Sequence, residues 1–378
     1  MHPITLAETI DGPRACRPYE LAPTLDVGTA VMRLEQGADP NWGHSWPHIY
    51  TPDNLANVRI IKVDEQVVSS MAILPTTVQA QTAQGEAVTL TVGGINGVAT
   101  LPAFRRRGFG GQLLQDCHAK MMADGCDIAL LSTGIDNWYR RFGWENGGQQ
   151  WSYTLDRRSC TYLPPLDSAV TVEVVATATA ALDEIAALHS QEALGARRRR
   201  DLYPSLLFRL EGRLYCARQA GRLLAYVVVR NQQILEYGGA TEPVAGLIRT
   251  VFTHLDDRSR PTSGRDAGGE PRRVRLTIHT PPRRTGLSQL LNEVGLPYSR
   301  TYLGMIRVIN LPQLLRKVAP QCVVSEESEE QVVLTDGATQ QRLTRGDLVK
   351  WLFGPERFPA LTIPGLPLTF YQWPLDWV

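Results

Sequence analysis

A run of arginines and glycines is the segment of this chain best suited to chemistry. Arg105, Gly108 and Gly110 follow the pattern Arg-x-x-Gly-x-Gly, with Arg106 and Arg107 between them. Glycine permits positive φ and close backbone approach, so successive N–H groups can point at one phosphate. A helix that starts near Gly110 adds unsatisfied N–H groups and the positive end of its dipole. The pattern indicates an anion-binding loop, although an exposed basic turn that caps a helix has the same composition.

The elements around this loop predict how it is held. The run at 88–100 is β-branched and bounded by turn signals, which favours a strand. After the loop, apolar residues recur on one face of a helix until Gly125, where a stop is expected. The run at 127–134 reads as a short buried strand. Together with strands at 58–63 and 67–75, this order predicts a mixed α/β sheet.

Length and composition indicate how the chain is divided. With 378 residues, it is too long for one ordinary core. A proline-containing stretch at 156–170 is a candidate linker, and after it the order of elements begins again without a repeat of residues. We predict a first domain at 1–160, a second at 161–305 and a small C-terminal unit at 306–378. The apolar residues expected to dock the tail on the protein are Phe370, Tyr371, Trp373 and Trp377.

Charge and cysteine usage argue against several classes of function. The formal net charge is +1, from 39 basic and 38 acidic residues, so no general attraction to nucleic acid or membrane is expected. We expect no signal peptide and no membrane-spanning run of about 18 apolar residues. The six cysteines are scattered without metal-ligand spacing, which predicts no metal site and a cytoplasmic protein. The basic run at 197–200 has no aromatic residues beside it and indicates a solvated or ion-paired surface.

The segment from strand to helix resembles the cofactor motif of the GNAT superfamily of N-acetyltransferases. Neither a Rossmann nor a P-loop pattern is present, whereas VGGINGVATLPAFRRRGFGGQLLQ at 92–115 carries the resemblance, which covers roughly residues 58–145. It implies acetyl-CoA as cofactor, with a splayed strand pairing with the pantetheine arm and the loop holding the pyrophosphate. The implied cofactor-binding residues are Val98, Ala99, Thr100, Arg105, Arg106, Arg107, Gly108, Phe109, Gly110 and Gly111.

A second motif narrows the resemblance. DNWYRRFGWE at 136–145 is similar to the Eis-type (enhanced intracellular survival) acetyltransferases of that superfamily. This resemblance implies tandem GNAT-like domains, the second without a cofactor loop, and a sterol-carrier-like C-terminal unit that is shortened here. In the second domain, GGATEPVAG stands in place of the loop, and its Glu242 would repel phosphate. Similar proteins commonly form hexamers, so a homo-oligomer is expected.

The implied reaction transfers an acetyl group to a primary amine of an aminoglycoside, a polyamine or a lysine side chain. Tyr139 matches the family's tyrosine and is expected to protonate the leaving thiolate as general acid; a merely packed tyrosine is the alternative. The N–H of Val98 is the expected partner of the thioester carbonyl. An alkyl amine has a pKa of about 10.4 and must lose a proton before it attacks. The resemblance implies that the C-terminal carboxylate of Val378 is the base.

Other groups compete for the role of base and for the acceptor site. The alternative bases are His44, His48 and Glu145. The side chains that could line an acceptor pocket are Trp42, His44, Trp46, Tyr50 and Glu145, although the loop at 41–50 could equally pack on the sheet. Two other classes of function keep parts of the pattern. One is an acyl-CoA sensor or scaffold that binds cofactor without turnover, and the other is a lipid-binding protein that uses the C-terminal unit.

Overall fold

The structure is a computed structural model that describes residues 8–175, 181–208, 212–259, 274–337, 339–356 and 362–377. These residues form a nine-stranded, a seven-stranded and a three-stranded sheet with helices packed against them. The strands are β1 (Ile10–Ala15), β2 (Val58–Val63), β3 (Gln66–Gln81), β4 (Ala87–Thr100), β5 (Ile128–Leu131), β6 (Glu145–Gly147), β7 (Gln150–Leu155), β8 (Thr171–Val175), β9 (Gly195–Arg197), β10 (Arg213–Gln219), β11 (Arg222–Arg230), β12 (Gln233–Gly239), β13 (Leu276–Thr280), β14 (Tyr298–Thr301), β15 (Gly304–Val308), β16 (Cys322–Glu327), β17 (Gln331–Asp336), β18 (Thr339–Thr344) and β19 (Thr369–Phe370). The helices are α1 (Leu21–Met32), α2 (Trp42–Ser45), α3 (Phe109–Ala123), α4 (Asp136–Arg140), α5 (Arg157–Cys160), α6 (Leu182–Ser190), α7 (Tyr203–Leu207), α8 (Thr241–Ser259), α9 (Gly286–Glu293), α10 (Leu311–Val318) and α11 (Arg345–Phe353).

The first sheet carries the strand that leads into the arginine-glycine loop. Its strand order is β1-β2-β3-β4-β5-β15-β6, and β9 and β19 also pair with β3. β1 to β4 are antiparallel neighbours, whereas β4 and β5 are parallel and are connected through α3. α3 packs on the sheet because its apolar residues recur at helical spacing. Its buried side chains include Leu113, Leu114, Cys117 and Met121.

The second sheet repeats this order of elements. Its strands follow the order β14-β7-β13-β12-β11-β10-β8. β8, β10, β11 and β12 are antiparallel neighbours, and β12 runs parallel to β13 through α8. The predicted mixed α/β fold is therefore confirmed. The interpretation of the second sheet as a GNAT-like copy stays a prediction.

The two sheets exchange one strand each. β7 precedes the predicted linker but pairs with β13 of the second sheet. β15 follows the second sheet along the chain but lies between β5 and β6 of the first. Each sheet is thus completed by a strand from the other half of the chain. The predicted division at residues 160 and 305 stays a prediction. The boundary at 160 separates β7 from the sheet that it completes, and the boundary at 305 falls within β15.

The C-terminal segment is docked on the protein, as predicted. Phe370, Tyr371 and Trp373 are buried, and Trp377 is half-buried. β19 adds this segment to the first sheet by pairing with β3. The preceding unit contains β16, β17 and β18 in a three-stranded sheet, together with α10 and α11. Its likeness to a sterol carrier stays a prediction.

Two predictions about basic and polar segments need correction. The sequence at 256–272 is rich in Gly, Arg and Ser and has no apolar period, which favours an exposed loop, but α8 continues to Ser259. Residues 260–273 lie outside the described part of the chain. The basic run was expected at the surface, which is wrong for Arg198, because only 2% of its side chain is exposed. Its neighbours Arg199 and Arg200 are exposed and ion-paired. Among the described residues, no helix is long and apolar enough to cross a membrane.

Candidate functional site

The central feature of the site is a gap between β4 and β5. The two strands pair in parallel only from Val92 to Gly94. β5 ends at Leu131, whereas β4 continues to Thr100 and pairs there with β3 alone. Backbone N–H and C=O groups on the β5 side of β4 therefore face an open edge, which can accept a further extended segment.

A bulge at Gly97 decides which backbone groups face this gap. One β3 residue lies opposite two β4 residues between the Ala72–Asn96 and Ser70–Ala99 pairs, and Gly97 has a φ of 62°. Beyond the bulge, the N–H of Leu101 donates to the C=O of Val68 at 2.9 Å, toward β3. Because backbone groups alternate along a strand, those of Thr100 and Val98 point the other way, into the gap. Ala99, by contrast, accepts a hydrogen bond from Ser69 on the β3 side.

The loop that follows β4 has the backbone conformation of an anion site. Arg106 and Gly108 both have positive φ, at 63° and 84°. Gly108 is the N-cap of α3 and provides no side-chain capping hydrogen bond. The first N–H groups of α3, from Phe109 to Gly111, thus start at a left-handed turn and lack a side-chain cap. Such a combination concentrates N–H groups and the positive helix end at one point.

The arginine side chains of the loop are engaged unequally. Arg105 forms an ion pair with Glu35 at 2.7 Å, and Arg107 forms one with Glu8. Within the described part of the chain, Arg106 has no ion pair. The loop therefore offers a phosphate its backbone N–H groups and the charge of Arg106, and less net charge than three adjacent arginines suggest.

Tyr139 lies on α4, directly after β5, and is held by aromatic neighbours. Trp138 contacts it edge-on with ring centroids 4.7 Å apart, and Trp144 lies 6.0 Å away on another side. Burial raises the pKa of Tyr139 to about 12. The phenol is therefore neutral at physiological pH and can donate a proton.

Small residues at the start of α3 allow α4 to come close. A methyl group added at Gly110 would lie 3.5 Å from the Trp138 ring, and one added at Gly111 would lie 3.1 Å from Phe142. The glycines predicted for phosphate binding thus also position the segment that carries Tyr139. Sequence reasoning did not assign this role to Trp138 and Phe142.

The segment at 41–50, which carries Trp42 and Trp46, reaches β4 at the bulge. Trp42 is buried, and a methyl group at Gly97 would lie 3.2 Å from its ring. Tyr50 donates a hydrogen bond to Asn96 at 3.0 Å, and the rings of Trp42 and Trp46 are 5.7 Å apart. The structure therefore brings two predicted acceptor-site residues to the gapped strand. Asn96 was not predicted, although a glycine inside a strand pattern is a known signal for a bulge.

The predicted alternative bases are distributed differently. His44 is exposed and hydrogen-bonded to Asn41, whereas His48 is buried. Glu145 accepts a hydrogen bond from Arg140 at 2.8 Å. Burial would raise the pKa of this carboxyl group, but the bonds from Arg140 and from the Asn146 backbone outweigh burial and hold the pKa below its usual range. Val378 lies outside the described residues.

A cavity of about 490 Å³ lies beside β3 of the first sheet, close to the docked tail. It is lined by the 47–54 loop, by β3 near Leu74 and by the segment from Ala196 to Leu206. Asp376 also lines it. Its size is within the range of about 300–1,000 Å³ typical of small-molecule sites.

Comparison with known proteins agrees with this geometry. Residues 35–147 match the acetyltransferase (GNAT) domain family. Similar folds occur in a probable N-acyltransferase from Enterococcus faecalis (TM-score 0.61, 13% identity, covering 90% of this chain and 86% of that one). They also occur in a GCN5-related N-acetyltransferase from Anabaena variabilis (0.60, 15%, 89% and 85%) and in Eis1 from Mycobacterium abscessus (0.56, 14%, 89% and 85%). No curated protein gives a significant match.

These findings agree with the class predicted for the first domain. Residues 35–147 are similar to the acetyltransferase (GNAT) domain family, and at this level of identity the solved structures show a shared fold. Acetyltransferases of this class generally take the acetyl group from acetyl-CoA. The open edge of β4, the left-handed loop and the uncapped start of α3 fit its pantetheine arm and pyrophosphate.

Proposed function

We propose that this protein is an acetyl-CoA-dependent N-acetyltransferase that acetylates a primary amine. The observation that carries the proposal is the continuity of the site. The backbone groups of Val98 and Thr100 face a gap that leads directly to the left-handed loop and the start of α3. Tyr139 lies between Trp138 and Phe142, which are packed against the same helix start. Acceptors of the aminoglycoside, polyamine or lysine type all present the required amine.

The chain's own residues then have distinct tasks. Acetyl-CoA supplies the acetyl group as a thioester. The N–H of Val98 hydrogen-bonds the carbonyl oxygen and stabilises the negative charge that develops there. Tyr139 donates its phenolic proton to the departing sulfur. In this arrangement the backbone of β4 binds the cofactor and polarises the thioester carbonyl. The buried side chain of Tyr139 supplies the proton for the departing sulfur.

A base must take the proton of the attacking amine. Asp376 lines the cavity beside β3, and Val378 is two residues further along the sequence. We assign the base to the carboxylate of Val378 on this ground. Glu145 is disfavoured, because its low pKa and its pairing with Arg140 weaken it as a proton acceptor.

The cofactor assignment is tested by a matched pair of glycine variants at the two ends of α3. Gly108 and Gly125 have similar positive φ values, 84° and 74°, so alanine costs a comparable amount of conformational energy at both. A ligand at 100 times its Kd stabilises a protein by about 2.7 kcal/mol. We expect acetyl-CoA to raise the Tm of the wild type and of Gly125→Ala, but to raise that of Gly108→Ala much less.

The outcome separates the proposal from its alternatives. If millimolar acetyl-CoA leaves the wild-type Tm unchanged, the cofactor assignment is wrong. If acetyl-CoA raises the wild-type Tm, thiol release should be followed with a panel of amines. A protein that binds acetyl-CoA tightly but acetylates none of them would be an acyl-CoA sensor or scaffold rather than an enzyme.

A further inference from the structure

A second cleft lies in the other half of the molecule. It is a cavity of about 340 Å³ at the end of β12, where α8 and α9 both begin. Its volume is at the small end of the range of about 300–1,000 Å³ for ligand sites. The cleft opens to solvent, since Thr285 and Gly286 at its rim are exposed.

This cleft occupies the position that corresponds to the cofactor gap of the first sheet. β12 and β13 pair in parallel only at Gln233 and Ile234, while β12 continues to Gly239. In the first sheet, residues 101–108 separate β4 from α3, but here Ala240 alone separates β12 from α8. A pyrophosphate loop is therefore absent from this described segment. The cleft suits a ligand much smaller than acetyl-CoA.

Two helix starts converge on the cleft without side-chain caps. The first helical bond of α8 runs from the N–H of Val244 to the C=O of Ala240, and alanine has no side-chain oxygen. Thr285, the N-cap of α9, makes no side-chain capping hydrogen bond. A methyl group at Gly286 would lie 3.8 Å from the Thr241 hydroxyl oxygen, so the two starts are adjacent. Their N–H groups and dipoles favour an anionic group at this point.

A carboxylate lies on another wall of the cleft. Glu192 pairs with Arg283 at 3.0 Å, and only 17% of its side chain is exposed. Burial raises the pKa of Glu192, and the nearby Arg283 offsets only part of this effect. A second cation beside Glu192 would therefore be stabilising.

Tyr237 adds an independent sign of a ligand. Its side chain lines the cleft and is 7% exposed. Its ring packs edge-on against Trp373 at 4.7 Å, but its hydroxyl has no hydrogen bond to any residue that the structure describes. The Tyr237 residue is more than nine-tenths buried, and polar groups of buried residues normally have a partner. A polar ligand in the cleft would supply one.

We propose that this second cleft binds a small zwitterion of the α-amino acid type. The carboxylate of the ligand lies at the starts of α8 and α9, and its ammonium group lies beside Glu192. The hydroxyl of Tyr237 hydrogen-bonds to one of the ligand's two charged groups. The remaining wall is apolar and receives the ligand's side chain; it is formed by Leu188, Val244 and Leu287. This binding does not depend on the acetyltransferase function proposed for the first domain.

The test measures binding of the proteinogenic L-amino acids to the full-length protein by calorimetry and by Tm shift. We expect at least one to bind with one site per chain. Glu192→Gln should weaken binding about tenfold or more, because a charge-assisted hydrogen bond is lost. Tyr237→Phe, which keeps the ring and its packing, should weaken it several-fold. Glu184→Gln is the matched control, since Glu184 lies on α6 and pairs with Arg218 outside the cleft.

Three results would overturn the proposal. The first is that no amino acid binds at millimolar concentration. The second is that analogues without the amino group bind as tightly as the amino acids, which would leave Glu192 without a role. The third is that Tyr237→Phe and Glu192→Gln bind with wild-type affinity, which would place the ligand elsewhere. If Glu192→Gln fails to fold, Tyr237→Phe alone decides the matter.

Discussion

At the scale of single residues, the protonation state of Tyr139 determines what it can do. Burial raises its pKa to about 12, so the hydroxyl stays protonated throughout the pH range in which proteins are stable. The residue is therefore suited to donating a proton and unsuited to accepting one from an amine. This supports a division of labour in which the acid and the base are separate groups.

Tyr139→Phe should lower kcat by about 100-fold, at the lower end of what general acids contribute, because a thiolate is already a good leaving group. The Kd for acetyl-CoA should not change. In the wild type, Tyr139 should cause no fall in kcat between about pH 7 and about pH 10, because its pKa lies above that range. Steady-state kinetics with a thiol reagent measure both effects.

Tyr153→Phe is the control for that substitution. Tyr153 is also buried, and burial likewise raises its pKa to about 12, but its hydroxyl bonds to Asn292 at 3.0 Å in the second sheet. This variant should retain wild-type kcat. If Tyr139→Phe retains it as well, Tyr139 is a packing residue.

The loop arginines illustrate which residue contacts the sequence could predict. The pattern of Arg105, Gly108 and Gly110 predicted an anion-binding loop, and the positive φ of Gly108 agrees with it. The pairing of Arg105 with Glu35 could not be predicted, because 70 positions separate the partners along the chain. Contacts of this kind depend on the tertiary fold rather than on local spacing.

At the scale of elements, the bulge at Gly97 is the feature on which the gap depends. Sequence patterns predicted a strand at 88–100, and β4 spans Ala87–Thr100. A strand without the extra residue would turn the N–H of Val98 toward β3, because backbone groups alternate. The bulge reverses this alternation and turns Val98 and Thr100 toward the gap.

Gly97→Ala should therefore weaken the site more than a comparable change elsewhere. Alanine in a left-handed conformation costs about 1–2 kcal/mol, and a methyl group at Gly97 would in addition overlap the Tyr50 hydroxyl. We expect a lower Tm and a higher KM for acetyl-CoA. Gly85→Ala is the control, because Gly85 has a φ of 87° in a turn with open space around it. The Tm of Gly85→Ala should fall only as far as the conformational cost of alanine requires. An equal KM for acetyl-CoA in both variants would contradict this role for the bulge.

Element bounds were predictable where the pattern was long and failed where it was short. The sequence predicted a strand at 58–63, as found for β2. The run LPQLLRKV at 311–318 likewise has apolar residues at helical spacing, and α10 has the same bounds. β9 spans only Gly195–Arg197 and β6 only Glu145–Gly147. Three residues show no periodicity, so tertiary pairing alone defines these strands.

At the scale of the whole molecule, the exchange of strands joins the two sheets. The sequences of β7 and β15 do not indicate which sheet either strand joins, because long-range packing determines which strands pair. Sequence order therefore suggested two separate domains. Each half instead contains a strand that completes the other, so we expect neither half to be independent of the other in stability.

Arg198 connects the docked tail to the second sheet. It donates to Asp376 at 2.6 Å and to Glu236 of β12 at 3.0 Å. Tyr226 also donates to Glu236, at 2.7 Å. Burial would raise the pKa of Glu236, but Arg198 above all outweighs burial and holds the pKa well below its usual range. This buried arginine thus fixes the tail beside the cavity that Asp376 lines.

Arg198→Met should destabilise the protein by about 3–5 kcal/mol, because it leaves two buried carboxylates without their main partner. Arg199→Met is the control: Arg199 and Asp201 are 73% and 58% exposed, and exposed pairs contribute about 0–1 kcal/mol.

The difference in stability between Arg198→Met and wild type should depend on pH. In the wild type, the lowered pKa of Glu236 stabilises the fold above about pH 4.3, the unfolded value, and this contribution is lost as the pH falls. The gap between Arg198→Met and wild type, measured by urea unfolding, should therefore be largest above about pH 4.3 and shrink as the pH falls below that value. A gap that is constant with pH would show that Arg198 acts through packing rather than through its charge.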